Sequence, residues 1–98
     1  MAQYISLVNW TDQGIRNYKD TLDRAGAARA AAEQLGGKIT SIVWTVGEYD
    51  LVVQSEFPDD QSATAFLLRL GALGNVRTTT LRAFGEDEVA SIIAKAGG

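Results

Sequence analysis

Apolar and β-branched residues concentrate in four short stretches of the chain, and this pattern predicts four β-strands. Residues 2 to 10 form the first stretch, and residues 76 to 84 form the last. Between them, residues 42 to 46 and 51 to 57 lie on either side of a polar break at positions 47 to 50. Two apolar runs around a short polar break are typical of antiparallel strands joined by a turn.

Apolar residues at spacings of three and four predict three helices between and after these strands. We expect Thr21 to cap the first helix, whose mostly alanine inner face would let it lie close to the sheet. Asp59 or Asp60 is expected to cap the second helix, and the third follows Gly85. Residues 11 to 21 are either a loop or a single helical turn. The expected inner faces are Leu22, Ala25, Ala28, Ala32 and Leu35 in the first helix, Ala63, Phe66, Leu67, Leu70 and Leu73 in the second, and Val89, Ile92, Ile93 and Ala96 in the third.

The order strand, helix, strand, strand, helix, strand, followed by a terminal helix, predicts one α+β domain over residues 1 to 98 with a ferredoxin-like fold. In that topology both main helices cover one face of a four-stranded antiparallel sheet. Apolar residues nevertheless project from both faces, with Val8 and Trp10 on one side of the first strand and Ile5 and Leu7 on the other. A bare apolar face of roughly several hundred Å² is unusual on a monomer. We therefore expect a homodimer or a larger oligomer, with two sheets packed face to face in a dimeric α+β barrel.

Composition narrows the chemistry that the chain can carry. The sequence has no histidine and no cysteine, which removes the commonest general base, cysteine nucleophiles and the usual transition-metal ligands; we expect no metal and no cofactor. Nine basic against twelve acidic residues, with a net charge of -3, disfavour a nucleic-acid partner. No stretch is apolar for long enough to span a membrane. Since the start also lacks the features of a signal peptide, we expect a cytoplasmic protein.

Several separate motifs together resemble one known family. The central turn carries Gly47, Tyr49 and Asp50, with Glu48 interposed, and it is accompanied by NWTDQGI near the start, FLLRLGALGNVRTTTLRAF near the end and a closing acidic helix. Over nearly its whole length the chain resembles the GYD-domain family, which is named for those three residues. The resemblance implies a dimeric α+β barrel of ferredoxin-like fold and a biochemical role that is largely undefined.

A more distant resemblance bears on function. Residues 46 to 82 are similar to the effector-sensing domain of the feast/famine (leucine-responsive) regulators, in which a Gly-x-Tyr-Asp turn lies near an amino-acid pocket between subunits. Regulation through DNA is not implied, since we find no helix-turn-helix before this segment. The resemblance favours a ligand-binding or sensing module of undefined ligand, with its pocket at the subunit interface. The residues expected to bind are Trp10, Arg16, Trp44, Gly47, Tyr49, Asp50 and Arg77.

The residues of the central turn also have structural interpretations. Gly47 permits a positive φ, Tyr49 can bury its ring while its hydroxyl finds a partner, and Asp50 can accept hydrogen bonds from turn amides. We favour these structural roles for Gly47 and Asp50 over ligand contact or catalysis.

An enzyme is the alternative function. Related dimeric barrels include cofactor-independent monooxygenases and isomerases that act on small organic compounds, and the aromatic residues of this chain could line such a cavity. Asp50 or Glu56 would then serve as base, and Arg77 or Arg82 would hold an anion. We assign no catalytic residue, because aromatic residues on strands belong far more often to a core or an interface. An RNA-binding sheet ranks last, because the charge is negative and the third strand lacks stacking aromatics.

Overall fold

A computed structural model describes residues 1 to 97 and places them in one four-stranded antiparallel sheet with four helices. The strands are β1 (Ala2–Trp10), β2 (Lys38–Trp44), β3 (Leu51–Phe57) and β4 (Val76–Ala83), in the sheet order β2-β3-β1-β4. The helices are α1 (Asp12–Arg16), α2 (Thr21–Gln34), α3 (Asp60–Ala72) and α4 (Glu86–Lys95), with a 3-10 turn at Tyr18–Asp20 between α1 and α2. The predicted ferredoxin-like α+β fold is confirmed.

Helices α2 and α3 pack on one side of the sheet, which we call the helix face. The core on this face is built around three rings: the Tyr4 and Phe57 centroids are 6.2 Å apart, and those of Phe57 and Phe66 are 5.2 Å apart. Ala32 and Ala63 are buried against these rings. All five residues lie toward the end of the sheet where β1 begins, so the aromatic core fills that end.

The first residues of α2 and α3 show how each helix begins. Asp59 caps α3, because its Oδ1 accepts a hydrogen bond of 2.8 Å from the Ser62 amide, and that amide holds the pKa of the Asp59 carboxyl below its ordinary value. Of the two residues expected to cap this helix, Asp59 and Asp60, Asp59 is therefore confirmed. For α2 the expected cap was wrong: Asp20 occupies the capping position and Thr21 is already helical.

Three residues that we expected to be apolar contacts are exposed instead. Leu22 is 71% exposed because Thr21, four residues before Ala25, takes the inward position in the first turn of α2. Leu73 is 65% exposed because α3 ends before it. Val46, expected in a strand, lies in the loop after β2 and is fully exposed.

The opposite side of the sheet, which we call the open face, is covered by no helix over residues 1 to 97. Cross-strand pairing aligns Val43, Val52 and Leu7 in one row and Ile5 with Leu81 in another. Val43 and Leu81 are each 49% exposed. The bare apolar face predicted from the sequence is therefore present on the single chain.

Helix α4 covers neither face. It begins at Gly85, whose amide donates to Glu88 Oε1 at 3.3 Å, and it makes no extensive contact with another element. The expected inner face of α4 is exposed, since none of Val89, Ile92 and Ile93 is buried. The longest helix described over residues 1–97 has 14 residues, and none of these helices has both the length and the apolar character needed to cross a membrane.

The edge strand β2 contains a bulge. Ile39 pairs with Ser55 and Ser41 pairs with Gln54, so Thr40 has no partner residue on β3. Near the same end of the strand, Lys38 Nζ lies 3.6 Å from Glu56 Oε2. The extra residue bends the strand and increases its local twist.

The phenol of Tyr4 generates a prediction about stability, because it donates a hydrogen bond to Asp60 Oδ1 and so joins β1 to the start of α3. Burial, aided by this bond, raises the pKa of Tyr4 from 10.0 to about 12. We expect Tyr4→Phe to lower the free energy of unfolding by about 1–2 kcal/mol near neutral pH. Between about pH 10 and 12 the unfolded chain loses the phenol proton before the folded chain does. The free energy of unfolding of the wild type therefore falls in this window, and its difference from that of Tyr4→Phe becomes smaller.

Urea unfolding of both proteins across this pH range checks the expectation. Tyr18→Phe is the matched control, since that ring is 54% exposed, and it should leave the stability close to that of wild type. If the free energies of unfolding of wild type and Tyr4→Phe differ by the same amount up to about pH 12, burial does not raise the pKa of Tyr4 as described.

Candidate functional site

A cavity of about 430 Å³ lies between α2, α3 and the helix face of the sheet. It occupies the end of the sheet where β1 finishes, opposite the aromatic core. Cavities of about 300–1,000 Å³ with mostly apolar walls are typical of small-molecule sites. Its walls are formed by Ser6, Val8, Trp10, Ile39, Ile42, Leu51, Val53, Val76 and Thr78 of the sheet, by Thr21, Arg24, Ala25, Ala27, Ala28 and Ala31 of α2, and by Phe66, Arg69, Leu70, Ala72, Leu73 and Asn75 of α3 and the turn that follows.

The alanines of α2 explain why this end of the helix face is hollow. Ala32 is fully buried beside the aromatic core, whereas Ala28 and Ala25, one and two turns earlier, line the cavity. A methyl group is too short to fill the space that rings fill at the other end. We expected the alanine face to bring α2 close to the sheet; Ala32 is fully buried there, and Ala28 and Ala31 pack against the same core while they also line the cavity.

Helix α1 packs against the turn between α3 and β4, and Asn75 of that turn lines the cavity. The Thr11 amide donates to the Asn75 carbonyl at 3.1 Å, and Gln13 Nε2 donates to Asn75 Oδ1 at 2.9 Å. A side chain on Gly14 is excluded, because its Cβ would lie 2.0 Å from the Asn75 oxygen. The segment that we left as a loop or a helical turn is thus a short helix fixed to the site.

Arg24 joins α1 to α2 at this end. Its Nη2 donates to the carbonyl oxygens of Gly14 at 3.2 Å and Asn17 at 3.1 Å. Its Nη1 is buried and donates to no acceptor among residues 1–97. The other arginine of the walls, Arg69, donates to Gln34 Oε1 at 3.1 Å. Neither guanidinium forms an ion pair within the described part of the chain.

The structure separates the ligand-binding residues that we predicted from the sequence. Trp10 lines the cavity. Trp44 does not, but its Nε1 donates to Thr21 Oγ1 at 3.0 Å, and Thr21 does line it. Arg16 is exposed at the end of α1, and Arg77 pairs with Asn9 on the open face, away from both tryptophans.

The residues of the central turn mainly make contacts that hold the backbone in place. Gly47 has a φ of +138°, as expected, and nothing lies within 4 Å of a Cβ built on it. The Tyr49 carbonyl accepts a hydrogen bond of 2.5 Å from the Thr45 hydroxyl. Asp50 Oδ2 accepts one of 2.8 Å from the Trp10 amide. We expected a turn amide as the donor to Asp50; the donor instead belongs to β1, so Asp50 holds the hairpin loop against the strand that ends in the cavity.

Sequence reasoning missed Arg24, Arg69 and Asn75. A signal for Arg24 was present, because it stands one turn before Ala28 and therefore on the alanine stripe of α2, where an inward-facing residue is expected. Asn75 follows the second helix, and no pattern in the sequence marked it as a site residue. Its contacts with α1 depend on tertiary structure, which no local pattern encodes.

The groups considered for catalysis are engaged elsewhere. Asp50 binds the Trp10 amide, Glu56 lies beside Lys38, and Arg82 Nη2 lies 3.6 Å from Glu88 Oε2. No aspartate, glutamate, lysine or tyrosine of residues 1–97 lines the cavity. That same part of the chain holds no cluster of three acidic residues suited to a metal ion.

The role of Asp50 can be tested by substitution. Asp50→Ala leaves the Trp10 amide without its acceptor, and we expect a loss of about 1–3 kcal/mol in the free energy of unfolding. Asp50→Asn keeps an acceptor oxygen and should lose clearly less. Glu48→Ala, a change at an exposed position of the same turn, is the control and should unfold like wild type in urea. Equal losses for Asp50→Ala and Glu48→Ala would contradict the structural role.

Comparison with known proteins identifies the family. A family model described as GYD domain matches residues 4–93, a span that includes most of β1, all of β2 to β4, α1 to α3 and most of α4. No curated protein matches the sequence. The more distant resemblance to the feast/famine regulators stays a prediction. Because the match covers nearly the whole chain, this protein belongs to the GYD-domain family.

Proposed function

We propose that this protein is a small binding module that holds an apolar molecule in the cavity between α2, α3 and the sheet, and that it works as a homodimer. The single observation that supports binding is the cavity itself, about 430 Å³ with mainly apolar walls. From the sequence we expected the pocket at a subunit interface. We place the proposed site within one chain instead, because Trp10 and the alanines of α2 meet there.

Binding ranks above catalysis because of what the walls contain. The described walls offer arginine, serine, threonine and asparagine as polar residues, and none of these is an ordinary general base. A ligand held there would be bound by burial of apolar surface and by a few hydrogen bonds. An enzyme of the dimeric α+β-barrel type stays the alternative prediction, as does a cytoplasmic location.

The open face supports the proposal of self-association. Val43 and Leu81 are exposed there, Ile5, Leu7 and Val52 are partly exposed beside them, and α4 makes no extensive contact with the strands. An exposed apolar patch across several strands commonly marks an interaction surface. A second copy of the chain would bury the same patch on both subunits, as an isologous twofold interface requires.

Ligand binding is tested by filling the cavity. Ala28 lines it and is partly buried, whereas Ala30 on the same helix is exposed and outside it. We expect Ala28→Phe to weaken the binding of a small apolar probe, such as decanol, about tenfold or more, because the ring occupies the ligand's space. Ala30→Phe should bind like wild type.

Tryptophan fluorescence measures the binding. The sequence has two tryptophans, so a Trp44→Phe background leaves Trp10, which lines the cavity, as the reporter. Thermal unfolding with and without decanol gives a second readout, since a ligand of the native state raises its stability. Equal affinities for both phenylalanine variants, or no saturable change in wild type, would overturn the proposed site.

Self-association is tested by light scattering on the eluted protein. Wild type should have a mass of about 21 kDa or more, at least twice the 10.5 kDa of one chain. Leu7→Arg places a charge in the middle row of the open face, and we expect it to give monomers because the charge is buried on association. Leu68→Arg, at a side chain that is 69% exposed on α3, is the control and should associate like wild type. A monomeric wild type at micromolar concentration would remove this proposal.

A further inference from the structure

The charge of the cavity walls is one-sided. Among the described residues, Arg24 and Arg69 line the cavity and no acidic residue does. The whole chain carries a net charge of -3, so this positive pair stands out from the rest of the surface. A cation next to apolar walls attracts an anion more strongly than it does in open water, because the local dielectric constant is lower.

Arg24 is the better placed of the two arginines to hold an anion. Arg24 lines the cavity, and hydrogen bonds from its Nη2 to Gly14 and Asn17 fix the guanidinium. Both of those acceptors are neutral carbonyl oxygens, and the guanidinium forms no ion pair within residues 1–97. An arginine without a carboxylate partner keeps its capacity for a charge-assisted hydrogen bond.

We infer that the ligand of the cavity is an amphiphilic carboxylate, with its carboxylate beside Arg24 and its apolar body along the alanines of α2 toward Phe66. The inference rests on the proposed function, since it names the ligand class for that same cavity. A volume of about 430 Å³ equals roughly 14 waters at about 30 Å³ each. It therefore suits a monocarboxylate of about 10–15 non-hydrogen atoms.

A matched pair of ligands tests the apolar site and the preference for a carboxylate separately. Decanoate and decanol share the same apolar chain and differ in the headgroup, and both are titrated against the Trp44→Phe protein below their aggregation concentrations. We expect decanoate to bind about tenfold or more tightly than decanol, because it adds a charge-assisted hydrogen bond. Equal affinities would overturn the carboxylate inference and leave the apolar site standing. Failure of both to bind would overturn both claims.

Variants assign the carboxylate to one arginine. Arg24→Met should remove the preference for decanoate over decanol, so that the ratio of the two affinities falls about tenfold or more, because it removes the charge and keeps a long apolar side chain. Arg29→Met, at an exposed position of the same helix outside the cavity, is the control and should bind both ligands like wild type. An unchanged ratio in Arg24→Met, or a fall found instead in Arg69→Met, would overturn the assignment to Arg24. If Arg24→Met does not fold, the comparison of decanoate with decanol on the wild-type cavity still decides the carboxylate inference.

Discussion

The separation between the two main helices and the sheet is the constraint on which the rest of the structure depends. At the start of β1, the rings of Tyr4, Phe57 and Phe66 fill that gap at native packing distances. Helix α2 is 14 residues long, about 21 Å at 1.5 Å per residue, and a helix of that length is close to rigid. Its other end therefore cannot bend toward the sheet, although the alanine side chains there are short. The cavity is the space that this leaves between the helix and the sheet.

The short helix α1 fixes the turn that borders this space. It lies against Asn75 so closely that Gly14 has no room for a side chain, and the Arg24 guanidinium ties it to α2. Asp50 acts on the neighbouring strand in the same way, since it holds the hairpin loop to the amide of Trp10. One end of the cavity is therefore built from residues that are distant in sequence and are joined by directional hydrogen bonds.

Hydrophobic periodicity sufficed to predict the element order and the sheet, because strands and helices are encoded over windows of a few residues. It failed where one residue decides a position locally: Thr21 displaced Leu22 from the inward face of α2, and α3 ended one residue before Leu73. The site was harder to predict. Trp10 was identified from its type, but the alanine stripe was interpreted as close packing, since a sequence does not report the distance that Phe57 and Phe66 impose on the helices. Arg77 was misplaced relative to Trp10 because alternation along β4 sends it to the other face.

The bulge at Thr40 has a consequence for how copies of this chain can join. A regular outer strand offers unpaired backbone groups to the next molecule, and such edge-to-edge addition continues without limit into fibres. Thr40 interrupts the regular pairing of β2. A twisted edge strand that also carries Lys38 is a poor template for a further strand. Addition of a further strand at the β2 edge is thus discouraged.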